Sequence, residues 1–147
     1  MEISYQDVDL KILDDLIPLY IDSFNAEPWN DHWNKETAYQ RLYPLICHDD
    51  CDGICLKIDD RISGAILGRY EQYYDGLMFE IKEFWIKNEL RGQGFGKQLF
   101  QEFEKRLKEH HVHEVILMTT RGDYTEHFYK KEDYHIYENM IFMGKKL

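Results

Sequence analysis

The chain has 147 residues, 44% of them hydrophobic and 15% aromatic, which is enough apolar surface to bury a core and argues against a disordered chain. Its formal net charge of −10 argues against a nucleic-acid partner, which would need a basic surface, and is compatible with solubility or with a cationic small substrate. No apolar run is long enough to span a membrane and the acidic N-terminus is unlike a signal peptide, so we expect a cytoplasmic protein without a membrane partner.

The first third of the chain predicts one edge strand and two helices. MEISY is expected to form the strand, and apolar residues at helical spacing predict a helix from about Asp14 to Asn25. Asp14 or Asp15 is expected to cap that helix, which would leave Pro18 in the first turn, where proline is tolerated. NAEPWNDHWN is expected to be a loop, and KETAYQRLYPLI a second helix that Pro44 bends or ends.

The rest of the chain predicts five strands and two helices. GICLKID, DRISGAILGRYEQYY and LMFEIKEFWI are expected to form successive strands joined by turns at residues 59–60 and 75–76. An amphipathic helix follows from Gly96 to about Glu109. After it we expect the apolar strand EVILMTT with both faces covered, the short helix DYTEHFYKKE and a closing strand YHIYENMIFMGKK.

This element order, β-α-α-β-β-β-α-β-α-β, predicts an α/β (α+β) fold. Strands joined by hairpins pair antiparallel, whereas a strand–helix–strand crossover joins parallel strands. We therefore expect a mixed, mostly antiparallel central sheet with helices on both faces, in one domain covering residues 1–147.

Residues 90–100, LRGQGFGKQLF, place three glycines between a predicted strand and an amphipathic helix. Their spacing fits neither the P-loop pattern nor the dinucleotide-binding pattern, but Arg91 to Gly96 match R-x-x-G-x-G in full. Consecutive N–H groups from Gln93 to Lys97 would form an anion-binding nest at the helix N-terminus. This glycine turn is therefore expected to bind the phosphates of a ligand. The alternative is that the glycines only permit a tight turn.

The segment EIKEFWIKNELRGQGFGKQLFQEFEKRLKEHHVHEVILMTT, followed by FYKKEDY, resembles the core of the GNAT superfamily of N-acetyltransferases. The strand, the R-x-x-G-x-G loop, the helix, the next strand and an F-Y motif occur in the family's order, although Asp133 replaces the usual glycine of that motif. The resemblance implies a GNAT fold and the transfer of an acetyl group from acetyl-CoA to a primary amine of a small molecule or peptide, by direct attack and without a metal. The PWN…W segment is similar to the aminoglycoside 6′-acetyltransferase-like branch.

The same resemblance implies which residues would hold acetyl-CoA. The pyrophosphate would lie on the glycine turn, formed by Arg91, Gly92, Gln93, Gly94, Phe95, Gly96 and Lys97. The pantetheine arm would pair with the backbone of the preceding strand at Phe84, Trp85 and Ile86. Asp123 stands in the region where many members have an asparagine that contacts the coenzyme.

Catalytic roles follow from the resemblance as well. Tyr129, the tyrosine of the F-Y motif, would protonate the leaving thiolate, since a phenol is neutral at pH 7 and can donate a proton. Members of the family place a carboxylate at positions matching Glu80 or Glu83, and both remain candidates for the general base. Because side chains alternate along a strand, we expect these two glutamates on opposite faces.

The acceptor site of this fold is built largely by the first two helices and the loop between them. Trp29, His32 and Trp33 lie in that loop beside Glu27 and Asp31, and aromatic faces next to carboxylates suit an ammonium group. The alternative is that the tryptophans only attach the loop to the core.

Two other functions stay open at this point. The fold could bind an acyl-CoA as a non-catalytic sensor or scaffold, and a nucleotide-binding module would bind ATP or NAD, against which the glycine spacing argues. The three cysteines, an odd number, argue against a disulfide framework, and neither they nor the three histidines of residues 110–113 match a closed zinc site. We expect no metal, and either a monomer or a homodimer.

Overall fold

The computed structural model describes residues 1–147, with a five-stranded sheet flanked by helices. The strands lie in the spatial order β1 (Ile3–Asp7), β2 (Cys51–Ile58), β3 (Arg61–Tyr73), β4 (Gly76–Ile86) and β5 (Val112–Leu117). The helices are α1 (Leu13–Asn25), α2 (Lys35–Cys47), α3 (Phe95–Glu109) and α4 (Asp123–Lys131), with 3₁₀ turns at Leu10–Ile12 and Asn88–Leu90. Neighbouring strands pair antiparallel except β4 and β5, which are parallel. The mixed, mostly antiparallel α/β arrangement is therefore confirmed.

Helices cover both faces of the sheet. On one side, called here the α1–α2 face, Leu16 of α1 and Leu42 of α2 pack in a cluster with Trp85 of β4. On the other side, the α3 face, Phe103 of α3 packs on Phe79 of β4, and residues of α4 join the same cluster. Burying one such side chain contributes about 1.5–3 kcal/mol, so the two clusters fix both helix layers on the sheet. None of the helices has the length and apolar character to cross a membrane.

The two N-terminal helices differ from expectation at their starts and at their prolines. Asp9, rather than Asp14 or Asp15, caps the first helical segment, because its side chain accepts a backbone N–H in the 3₁₀ turn that runs into α1. Pro18 therefore lies inside α1, and Pro44 lies inside α2 without ending it. Both prolines are exposed, so the carbonyl that loses its helical hydrogen bond at each one is on the solvent side.

A bulge in β4 changes which side chains face which helix layer. The register against β3 shifts by one residue between Ile81 and Glu83, which leaves Lys82 as an extra residue without a partner on β3. Side chains alternate between the two faces on either side of a bulge, but the alternation breaks at the bulge itself. The side chains of Ile81 and Phe84 therefore both lie on the α3 face. Glu80 and Glu83 consequently share the α1–α2 face, and the expected placement on opposite faces is wrong.

The chain ends without the closing strand that the sequence predicts. After Asp133, whose φ of 66° is left-handed, residues 134–147 contain one turn and no strand. The side chains of Ile141 and Phe142 are 80% and 82% exposed. The run 140–143 is apolar at every position, so it lacks the alternation that would select one face for burial. β5 keeps an outer edge without a strand partner, and its side chains are half-buried, or exposed at His113, rather than covered on both faces.

Candidate active site

β4 and β5 separate halfway along β4. Their parallel pairing ends at Ile81 and Leu117, whereas β4 continues to Ile86. The residues from Lys82 onward therefore have β3 on one side and no strand on the other. Such an edge presents backbone N–H and C=O groups to an extended ligand. This open edge contains the three residues predicted to hold the pantetheine arm, Phe84, Trp85 and Ile86.

The glycine turn follows the open edge of β4 after one 3₁₀ turn. Gly92 and Gly94 have left-handed φ angles of 76° and 87°, which explains glycine at both positions. A Cβ added to either residue would meet no atom within 4 Å. The two glycines are thus required by backbone conformation and not by crowding, and the space above them is open.

A row of unpaired donors marks the start of α3. No side chain caps the helix at Gly94, and the N–H groups from Gln93 to Lys97 make no hydrogen bond within the protein. The first turn contains no acidic residue, and Lys97 adds a positive charge there. Free donors and the positive end of the helix dipole together favour an anion at this position.

Two alanine substitutions test this account of the turn. Gly94→Ala is expected to lower the free energy of unfolding by about 1–2 kcal/mol, because a Cβ is strained at a left-handed φ. Gly96→Ala is the matched control: its Cβ would sit 3.6 Å from Ile86, Phe84 and Phe128, an ordinary contact. It should leave stability unchanged or raise it by up to about 1 kcal/mol, since alanine favours helix. Urea unfolding of the three proteins measures both, and equal stabilities would contradict the turn geometry.

Arg91, expected to bind phosphate, makes contacts at the end of α1. Its guanidinium donates to the backbone carbonyls of Ser23 at 2.9 Å and Glu27 at 2.8 Å. Its Cζ also lies 5.0 Å from the ring centre of Trp29 and 6.0 Å from that of Tyr124. A phosphate contact by Arg91 is therefore restricted to the donors that these carbonyls leave free.

A buried carboxylate lies on the α1–α2 face of the open edge. Glu83 is 8% exposed, and its Oε1 accepts hydrogen bonds from the hydroxyl of Tyr20 at 3.1 Å and from Nε of Arg41 at 2.7 Å. Burial raises the pKa of Glu83 above the ordinary carboxyl range, while the charge of Arg41 and both hydrogen bonds act in the opposite direction. Because Arg41 is 40% exposed, solvent reaches the outer side of this ion pair.

Glu80 has a different environment from Glu83. Its carboxylate forms an ion pair with Lys82 at 2.7 Å. It lies in the part of β4 that has strands on both sides, opposite Arg69 of β3 and Ile116 of β5. Glu80 is thus outside the open edge and farther along the strand from the glycine turn.

Tyr129 lies on α4, against the α3 face of β4. Its ring packs 6.5 Å from Phe84, 5.8 Å from Phe100 and 6.0 Å from Tyr134, measured between ring centres. Burial and, to a smaller extent, the charge of Glu83 raise the pKa of Tyr129. Its hydroxyl makes no hydrogen bond within the protein and is not sealed from solvent. Glu83 and Tyr129 therefore flank the open edge from its two faces.

The predicted acceptor residues differ in how the fold holds them. Asn25 fixes the backbone of Trp33 with two hydrogen bonds, and the Trp33 ring lies 5.1 Å from that of Tyr20. The Trp29 ring packs between aromatic rings of α1 and α4. His32 is exposed and makes no hydrogen bond. The tryptophans thus attach the loop to the core, and Trp33 also contacts the tyrosine that donates to the buried carboxylate.

The remaining ligand predictions concern Asp123 and metals. Asp123 is the first residue of α4, and its exposed carboxylate makes no hydrogen bond within the protein. The three cysteines are free thiols, and no group of three or more His, Cys, Asp or Glu side chains is placed to hold a metal ion.

Sequence reasoning missed three residues of this region. Arg41 could have been found, because it falls on the buried stripe of α2 formed by Ala38, Leu42 and Leu45 and is the one charged residue there. Tyr20 falls at the apolar spacing of α1, which indicates packing against the core and not its hydrogen bond to Glu83. Tyr124 carries no signal in the sequence, because its contacts with Trp29 and Arg91 come from distant parts of the chain.

Three solved structures have folds similar to that of this chain. A protein of Clostridium difficile 630 described as a possible acetyltransferase is 12% identical, with a TM-score of 0.83 over 100% of this chain and 99% of that one. An aminoglycoside acetyltransferase from an uncultured soil metagenomic sample, solved with sisomicin, is 16% identical, with a TM-score of 0.76 over 99% and 96%. The ribosomal-protein-alanine N-acetyltransferase of Brucella melitensis biovar Abortus 2308 is 12% identical, with a TM-score of 0.75 over 99% and 100%. At these identities the likeness concerns the fold alone.

Sequence comparison gives a more specific result. No curated protein sequence matches the chain. The signature of the Acetyltransferase (GNAT) family, however, matches residues 13–134, which include α1, the open edge, the glycine turn and α4. The chain belongs to the GNAT family of acetyltransferases.

Proposed function

We propose that this protein is a cytoplasmic enzyme, acting as one domain, that transfers an acetyl group from acetyl-CoA to a primary amine by direct attack. The observation that carries the proposal is that the parts of the site follow one another along the open edge of β4. The open edge of β4 leads from the unpaired N–H groups at the start of α3 to the stretch of strand that Glu83 and Tyr129 flank from its two faces. An anion site, a strand edge and two proton-transfer groups in this order match the parts of an acyl-CoA and the needs of acetyl transfer.

The residues present fit acetyl-CoA, which supplies an activated acetyl thioester. The N–H groups from Gln93 to Lys97 would hold its pyrophosphate, and the open space above Gly92 and Gly94 allows close approach. The backbone of residues 84–86 would pair with the amides of the pantetheine arm as an added strand does. A free N–H of the same edge would polarise the thioester carbonyl.

Glu83 is the proposed general base. It is buried at the open edge and oriented by Tyr20 and Arg41, and its raised pKa brings it closer to neutral pH than an ordinary carboxylate. It would accept a proton from the amine directly or through one water molecule. Glu80, paired with Lys82 in the closed part of the sheet, is proposed to be structural.

Tyr129 is the proposed acid. Its raised pKa keeps the phenol protonated at neutral pH, and its hydroxyl is free of other partners. It would donate a hydrogen bond to the leaving sulfur and supply the proton that neutralises the thiolate. The surrounding rings limit its movement, which favours a fixed direction for this donor.

The acceptor would approach through the loop between α1 and α2. Carboxylates at Glu27 and Asp31 and the faces of Trp29 and Trp33 suit a cationic amine, with His32 exposed at the rim. An aminoglycoside is one such amine, and a polyamine or a peptide N-terminus carries the same ammonium group. No metal is proposed to take part.

A thiol-release assay combined with thermal shift tests the proposal. Release of free thiol from acetyl-CoA is measured against aminoglycosides, polyamines, amino acids and peptide N-termini, with thermal shift in parallel. We expect CoA and acetyl-CoA, but not ATP or NAD, to stabilise the protein, and one amine class to give turnover that EDTA does not reduce. Stabilisation without turnover on any amine would favour the non-catalytic sensor. Absence of stabilisation by CoA would contradict the proposal.

The ion pair between Glu83 and Arg41 leads to a prediction about the pH dependence of activity. A base must be deprotonated, so activity should be lost as pH falls through the raised pKa of Glu83. Arg41 lowers that pKa, and Arg41→Gln should therefore move the acid limb of the pH profile of kcat/KM to higher pH. Lys82→Gln is the control, because Lys82 pairs with Glu80. A limb that moves with Lys82→Gln and not with Arg41→Gln would identify Glu80 as the base.

A further inference from the structure

Arg91 links three parts of the structure that have different roles in the proposed function. Its backbone belongs to the glycine turn, which would hold the coenzyme phosphates. Its guanidinium reaches the C-terminal end of α1. The loop between α1 and α2, residues 26–34, begins there and is called here the acceptor loop. It also lies over an aromatic ring of α4, the helix that carries Tyr129.

The contact with α1 is a helix C-cap made by a distant residue. α1 has no basic residue in its last turn, so its terminal carbonyls lack a local positive partner. Arg91 donates to the carbonyls of Ser23 and Glu27, and Asn88, three residues earlier, donates to the carbonyl of Asp22 at 2.9 Å. The segment between β4 and α3 thus supplies the hydrogen bonds that complete α1.

The contact with α4 runs through two aromatic rings. Trp29 and Tyr124 meet edge to face, with ring centres 5.8 Å apart and planes at 84°. The Arg91 guanidinium lies within 6.0 Å of both ring centres, a distance at which a cation is attracted to the ring faces. Moving Arg91 would therefore disturb the acceptor loop and the start of α4 together.

We infer that Arg91 is a positioning residue that couples coenzyme binding on the glycine turn to the arrangement of the acceptor loop and α4. The inference rests on the proposed function. A ligand that orders the turn fixes the backbone of Arg91, and the guanidinium transmits that order to residues 23–29 and to Tyr124. Coupling is reciprocal, so ordering of the acceptor loop strengthens coenzyme binding by the same factor.

Hydrogen–deuterium exchange with CoA as the probe tests the coupling. In the unmodified protein, saturating CoA should slow exchange in the glycine turn and also in residues 24–33 and 123–128. In Arg91→Gln, CoA at a concentration raised to saturation should still slow exchange in the turn and at the open edge, but no longer in residues 24–33 and 123–128. The affinity of this variant for CoA should fall about fivefold or more, the low end of usual coupling strengths.

Two further variants separate positioning from phosphate binding and from misfolding. Lys97→Gln removes a charge of the turn itself, so it should weaken CoA binding and its salt dependence but keep the distant protection at saturation. Trp29→Leu leaves the turn intact and removes one ring under Arg91, and it should lose the CoA-dependent protection of residues 123–128. It provides the same test if Arg91→Gln does not fold.

The outcomes distinguish this inference from the proposed function. Protection confined to the turn and the open edge in the unmodified protein would overturn the coupling and leave acetyl-CoA binding standing. Distant protection that persists in Arg91→Gln, or an equal loss of salt dependence in Arg91→Gln and Lys97→Gln, would also overturn it. No protection by CoA anywhere would contradict the proposed function, and the coupling with it.

Discussion

Glu83→Gln is expected to lower kcat/KM by about 100-fold or more at neutral pH, the low end of what a general base contributes. Glutamine keeps the shape of the side chain and still accepts a hydrogen bond from Tyr20 or Arg41, but it cannot take a proton from the amine. The measurement is steady-state kinetics with saturating acetyl-CoA and the amine found in the panel. Because the amide removes the titrating group, the acid limb of the pH profile should disappear with it.

Glu80→Gln is the matched control for that variant. Both glutamates lie on the α1–α2 face of β4, three positions apart, but Glu80 pairs with Lys82 and lies outside the open edge. Its substitution should change kcat/KM less than about threefold, since removing a partly exposed ion pair affects the free energy of unfolding by about 1 kcal/mol or less. A larger loss in Glu80→Gln than in Glu83→Gln would reverse the assignment of the base. Thermal unfolding of both variants excludes misfolding as the cause.

Tyr129→Phe is expected to lower kcat by about 100-fold while the Kd for CoA stays unchanged. The phenyl ring preserves the packing against Phe84 and Phe100, so the variant loses only the hydroxyl that would donate to the leaving sulfur. The hydroxyl has no other hydrogen-bond partner in the protein, and its removal should therefore leave stability nearly constant. Calorimetric titration with CoA and steady-state kinetics measure the two effects separately.

Tyr134→Phe provides the comparison for Tyr129→Phe. Tyr134 belongs to the same aromatic cluster, but its hydroxyl donates to Glu104 at 3.1 Å. Tyr134→Phe should lower the free energy of unfolding by about 1 kcal/mol, the value of one hydrogen bond, and leave kcat unchanged. Full activity in Tyr129→Phe would mean that solvent or another group protonates the thiolate. Loss of CoA binding in Tyr129→Phe would assign the residue to the coenzyme site instead.

The elements that lie close together in sequence around the glycine turn were predicted well. The glycine turn sits between β4 and α3 as its spacing indicates, and the inward residues of α3 follow from helical periodicity alone. These features depend on local rules: glycine for left-handed backbone, and a stripe of apolar residues for a helix on a sheet.

The features that sequence reasoning missed depend on partners elsewhere in the chain. The phosphate contact of Arg91 stays a prediction, but its contacts with two carbonyls could not be foreseen, because they lie 64 and 68 residues away and have no signature beside it. The apolar residues after Asp133 favour strand, yet a strand needs a neighbour, and local preference cannot supply one. The bulge at Lys82 was hidden because β4 shows apolar residues on both faces, which conceals a break in alternation.

The extra residue at position 82 has a practical meaning for redesign of this enzyme. It gives the alternation of side chains along β4 two frames, one counted from the hairpin at the start of the strand and the other from the glycine turn at its end. A substitution transferred from a related strand must be numbered from the glycine turn if it is meant for the open edge, or its side chain will face the wrong helix layer. A deletion of one residue there would merge the two frames. Glu83 would keep its place on the α1–α2 face, because Ile81 and Glu83 already face opposite helix layers and removal of Lys82 would restore the regular alternation of side chains.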